Sequence, residues 1–136
     1  MKHASLIAIV AVLGLGAPSA ARAHPLAPSV LSFEQADDGV VTMRWRAPIK
    51  RPIGQSLRPR VPEVCTPLGA PELEQTDDGV AVIETLKLRC EPADMVGAVI
   101  AVDGLEDSSV NVVVRVVAVD GEAHHAILDT RRPQLT

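Results

Sequence analysis

The stretch VNVVVRVVAV, Val110–Val119, constrains the fold of this chain more than any other. Valine is stiff at χ1 and loses side-chain freedom in a helix, whereas it packs well on a pleated surface. With period two, Val110, Val112, Val114, Val116 and Ala118 share one wholly apolar face. Such a strand belongs at the centre of a core. Two further segments follow the same rule. In VVTMRWRA, Val41, Met43, Trp45 and Ala47 alternate with Thr42, Arg44 and Arg46. In the second half of VAVIETLKLRC, Leu86, Leu88 and Cys90 alternate with Thr85, Lys87 and Arg89. Both patterns mark half-buried strands.

Turn residues separate these runs. SFEQADDGVV at 32–41 and ELEQTDDGVA at 72–81 echo each other, each with an Asp-Asp-Gly tip before a strand. A third Asp-Gly, Asp120-Gly121, follows the valine run. Asp-Gly between alternating runs is a hairpin signal, because glycine accepts the positive φ the turn demands. The Asp pairs lack the alternating oxygens and terminal Glu of a calcium loop, so they read as turns. The spacing predicts seven strands, near 29–36, 40–47, 68–75, 80–90, 98–103, 110–119 and 122–129, with no helix after the leader. That pattern predicts an all-β domain, a β-sandwich in broad immunoglobulin style. Between the second and third strands, Pro48–Val64 has four prolines before Glu63 and no hydrophobic period, and is expected to be an irregular or extended connector.

Residues 1–23 read as a secretory signal peptide. Met1-Lys2-His3 is a cationic start, Ala4 to Gly16 an apolar run of about 13 residues, and Ala21-Arg22-Ala23 a small-residue cleavage pattern. The run is shorter than the roughly 20 apolar residues of a membrane span. Cleavage after Ala23 would leave a 24–136 β-sandwich domain outside the cytoplasm, in the periplasm or at the cell exterior. Loss of Lys2 and Arg22 would leave 11 basic against 17 acidic side chains and take the net charge from −4 to −6. A chain of that charge, with Phe33 and Trp45 as its only aromatics, does not suit nucleic-acid binding. Cys65 and Cys90 are the only cysteines, and an even count in an exported chain predicts a disulfide.

Two groups of residues qualify as binding sites. Arg44, Arg46, Lys50, Arg51, Arg58 and Arg60 fall between Gly39 and Pro62 with no acid among them. In an otherwise acidic domain such a block suits anionic lipid head groups of a membrane surface or an acidic partner, such as a membrane protein. The other group is metal-ligating. If cleavage exposes His24, its α-amino nitrogen and imidazole can chelate one copper or nickel ion, with His124 or His125 completing the site. His124 and His125 are consecutive on an expected strand, so only one of them can join. Catalysis is not expected: there is no Gly-x-Ser-x-Gly elbow and no His-Glu-x-x-His, and Asp37, Asp38, Asp77 and Asp78 sit at hairpin tips.

The order of these features is itself informative. His24-Pro25-Leu26-Ala27-Pro28, the Trp45 strand with Pro48, Leu57-Arg58-Pro59, and the pair Cys65 and Cys90 follow one another after a leader. This order resembles the amino-terminal extracytoplasmic region of bacterial HupE/UreJ-like proteins, over essentially all of residues 1–136. The resemblance implies a non-enzymatic accessory domain, tethered in that family to the inner membrane through a multi-helix domain related to nickel or cobalt supply for hydrogenase and urease. The family's transport residues belong to that membrane domain, so none is assigned within residues 1–136.

Overall fold

The computed structural model describes residues 28–136; the expected leader and His24 lie outside the described residues. Ten strands follow one another: β1 (Ser29–Gln35), β2 (Val40–Pro48), β3 (Arg58–Pro59), β4 (Cys65–Pro67), β5 (Glu72–Gln75), β6 (Ala81–Cys90), β7 (Ile100–Asp103), β8 (Val112–Val117), β9 (Ala123–Leu128) and β10 (Gln134–Leu135). The described residues contain no helix, and so none long and apolar enough to cross a membrane. The large sheet runs β4-β6-β2-β1-β8-β9, with β5 also paired to β6; a small sheet runs β10-β7-β3. The two pack as a β-sandwich-like, all-β fold.

The seven expected strands are β1, β2, β5, β6, β7, β8 and β9. Three short ones, β3, β4 and β10, have no local periodicity and exist through distant pairing. Arg58 and Pro59 pair with Asp103 and Val102, and Cys65 pairs with Cys90. The expected strand 68–75 is observed only over Glu72–Gln75, because Gly69 and Pro71 interrupt it. The valine run is likewise trimmed to Val112–Val117, since Ala118 already closes the next turn with its N–H donating to Glu122 O at 2.8 Å.

Alternation along the strands builds the core. Leu31 and Phe33 of β1, Val41, Met43 and Trp45 of β2, Leu86 and Leu88 of β6, and Val112 and Val114 of β8 all point inward and are buried. The small sheet and its flanks supply the opposing layer, Leu57, Met95, Ile100, Val102 and Leu105. Each large aliphatic or aromatic side chain so buried stabilises the fold by about 1.5–3 kcal/mol.

Three turns share one chemistry. Gly39, Gly79 and Gly121 have φ of 77°, 68° and 86°. Each follows an aspartate whose Oδ1 accepts the N–H of the residue after the glycine: Asp38 from Val40 (2.9 Å), Asp78 from Val80 (3.1 Å) and Asp120 from Glu122 (2.9 Å). The side chain mimics a backbone turn and the glycine supplies the left-handed residue. All pairings in the large sheet are antiparallel except one: β1 runs parallel to β8, with Ser29 opposite Val112 and Glu34 opposite Val117.

Candidate functional site

Strand register, more than any motif, gathers the charged side chains. On the face of the large sheet turned away from the small one, Arg44, Ser32, Arg115 and His125 lie side by side across β2, β1, β8 and β9. The next row is Ile83, Arg46, Val30, Val113 and Ile127. On the other flank Lys87, Thr42, Glu34 and Val117 form a third row, and Arg89 lies beyond it opposite Val40. Over the large sheet this face carries five cations, Arg44, Arg46, Lys87, Arg89 and Arg115, and three acids, Glu34 on β1 and, at the β5 edge, Glu72 opposite Thr85 and Glu74 opposite Ile83. The other described positions carry six cations and fourteen acids. The domain is therefore polarised: a cationic sheet face on a body that is otherwise strongly acidic.

No described residue covers this face. Arg44, Lys87, Arg89, Arg115, His125 and Ile127 are exposed, and Val30, Arg46 and Val113 half-buried. Two of the cations have local partners. Arg44 Nη2 lies 3.6 Å from Glu74 Oε1 at the β5 edge, and Lys87 Nζ donates to Thr42 Oγ1 at 2.7 Å. Both contacts are at the surface, where solvent screens them to a few tenths of a kcal/mol, roughly 0–1 for the ion pair.

The six cations that form one block in sequence occupy three places. Arg44 and Arg46 stand on the cationic face. Lys50 and Arg51 line a cavity of about 270 Å³ with Pro28, Trp45, Pro52 and Leu57. Arg51 and Arg58 border a second one of about 550 Å³, with Trp45, Leu73 and Glu84. Trp45, Ala47, Arg51, Gln55 and Leu57 line both cavities, and β3 of the small sheet borders the second, where Leu73 is 69 % exposed. Arg60 is engaged in an ion pair with Asp103 that ties the connector to β7. Lys87, Arg89 and Arg115 were not among the sequence candidates. Their alternation with buried residues was visible, but nothing local says that β6, β2, β1 and β8 lie side by side.

His124 and His125 are both exposed and face opposite sides of β9, His124 opposite Val116 and His125 opposite Arg115. His124 Nε2 lies 3.6 Å from Glu122 Oε1. Among the described residues no three His, Cys, Asp or Glu side chains converge as metal ligands. His24 is outside the described residues, so its part in a site is not placed.

The aspartates of the tips serve turns. Asp78 is held below its ordinary value of 3.8, first by the Thr76 hydroxyl at 2.6 Å and then by the Val80 N–H. Asp129 is lowered in the same direction by the N–H groups of Arg132 and Arg131, which both donate to its Oδ1. Cys65 and Cys90 face each other across the β4–β6 ladder with their sulfurs at bonding distance, 1.99 Å, and both are buried.

Fold and site together define a small disulfide-clasped β-sandwich with a cationic sheet face. No family model, curated protein or solved structure matches the chain.

Proposed function

We propose that the chain is an exported, non-enzymatic accessory domain that works by contact, resembling the soluble amino-terminal region of HupE/UreJ-like membrane proteins. The observation that carries the contact role is the cationic sheet face, which no described residue covers, on an acidic body. Contact with a membrane protein partner or with an anionic membrane surface suits such a face, since complementary fields steer encounter and fix orientation. Export is supported by the leader-like residues 1–23 and by the bonded cysteine pair, a chemistry that persists in oxidising compartments.

Fractionation of expressing cells, followed by intact mass measurement, tests the location. The expected species is residues 24–136 less two hydrogens, found outside the cytoplasm. A full-length chain in the cytoplasm with both thiols free would overturn the reading. A site-specific photo-crosslinker replacing Ser32, at the centre of the cationic face, tests the contact. It should give a discrete adduct in intact cells, and the same probe replacing Asp107, exposed and away from that face, should not. Equal labelling from both positions would sink the contact role.

A further inference from the structure

We infer that the cationic sheet face is a docking surface for an acidic protein segment, one that presents carboxylates alongside aliphatic side chains, and not for a lipid bilayer. This deepens the contact role proposed above and is independent of export. Three observations favour a protein occupant. Four of the five cations are arginines, whose planar fork pairs bidentately with carboxylates and which interfaces prefer to lysine. Next, the cations frame an aliphatic strip: Val30, Val113 and Ile127 stand side by side on β1, β8 and β9, with Arg46 continuing their row and Arg115 in the row beside it. Ile127 is 48 % exposed there, and with Val30 and Val113 it offers a partner's aliphatic side chains a surface to pack against. Lastly, the face is bounded at both ends by acids. The Asp37-Asp38 and Asp120 tips lie at the end where β1 and β8 finish, and the Asp77-Asp78 tip lies at the other. An extended anionic plane laid on the face would meet these carboxylates, whereas a segment short enough to fit between the tips and lie over β2, β1 and β8 meets Arg44, Arg46 and Arg115, with Glu34 and the β5 glutamates at its margins.

The residues that decide affinity are then Arg44 and Arg115, which flank Ser32 in one row, and Arg46 beside Val30 in the next. Lys50 and Arg51, although they lie in the same block of sequence, line the connector cavity and stand outside the docking surface.

The test uses the purified, oxidised protein with two probes, poly-L-glutamate and vesicles of phosphatidylglycerol in phosphatidylcholine. Poly-L-glutamate should bind saturably, weaken as salt rises, and shift the amide resonances of Val30, Ser32, Val113 and Arg115. Arg44→Glu/Arg115→Glu should bind at least about tenfold more weakly. Lys50→Glu/Arg51→Glu, an equal change in net charge, should bind within about twofold of the parent. Arg44→Gln/Arg115→Gln, milder for folding, should fall between. An unchanged far-ultraviolet circular dichroism spectrum and thermal midpoint report that each variant is folded. Tighter binding to the vesicles than to poly-L-glutamate would overturn the inference in favour of a membrane. Shifts confined to residues 50–58, or equal losses in the two reversal variants, would overturn the assignment of the face. A chain retained in the cytoplasm would defeat the export proposal and leave these outcomes as they stand.

Discussion

Opening the Cys65–Cys90 bridge is the perturbation whose magnitude the structure fixes best. The two cysteines are 25 residues apart, and closing a loop of that length removes denatured-state entropy equivalent to about 3.5 kcal/mol. A domain of this size is stable by only about 5–15 kcal/mol, so a quarter or more of its stability rests on one bond. Locally, β4 is three residues long and pairs only with β6. Its neighbours in the ladder are few: Leu68 N–H donates to Lys87 O at 2.8 Å and Glu91 N–H to Val64 O at 2.8 Å. Without the bridge this edge should open before the rest of the sheet. Urea denaturation with and without dithiothreitol, followed through Trp45, should show a loss of about 3–4 kcal/mol on reduction, and a steeper slope because the denatured chain expands. Hydrogen exchange should show the Leu68 and Glu91 amides losing protection first. A loss under about 1 kcal/mol, with both amides still protected, would refute the loop-entropy account and the role given to the clasp.

Other outcomes test other parts of the molecule. Thr76→Val removes the largest cause of the lowered Asp78 titration, so by NMR the Asp78 midpoint should move back up toward 3.8. Because the folded-state values of Asp78 and Asp129 are depressed, their stabilisation is present above the ordinary carboxylate range and is lost as pH falls through the folded midpoints, so acid should loosen these turns below about pH 4. Gly104→Ala should destabilise more than Gly121→Ala in thermal unfolding. Both glycines have positive φ, a cost of about 1 kcal/mol or somewhat more for alanine. At Gly104 the new Cβ also strikes the Ser56 carbonyl, which should add about 1–3 kcal/mol of overpacking, whereas Gly121 faces open space. Phe33→Ala, at a position with no exposure, should cost about 3–5 kcal/mol in urea.

The strands were legible where side-chain alternation carries them. Val41, Met43, Trp45 and Ala47 read as one buried face and are one, because period two is a local property of the chain. The three Asp-Gly tips were legible for the same reason. What could not be read is pairing at a distance: β3 and β4 exist through Val102 and Cys90, far along the chain. The site followed the same divide. Six cations close in sequence read as one patch, yet the end of β2 at Pro48 sends Lys50 and Arg51 to the cavity beside Trp45, while Arg44 and Arg46 keep the sheet face. Lys87, Arg89 and Arg115 join that face only because β6 and β8 flank the β2–β1 hairpin, which is a matter of topology.

The parallel pairing of β1 with β8 has a consequence for the order of events when the chain is made. β1 is the first described strand to emerge, and its second edge stays empty until Val112–Val117 arrives near the end. Assembly is thereby deferred: contacts of such long sequence separation place folding in the slow, roughly millisecond-to-second regime. Until Val112–Val117 has been made, the β2–β1 hairpin keeps one open edge, and only the arrival of β8 closes it.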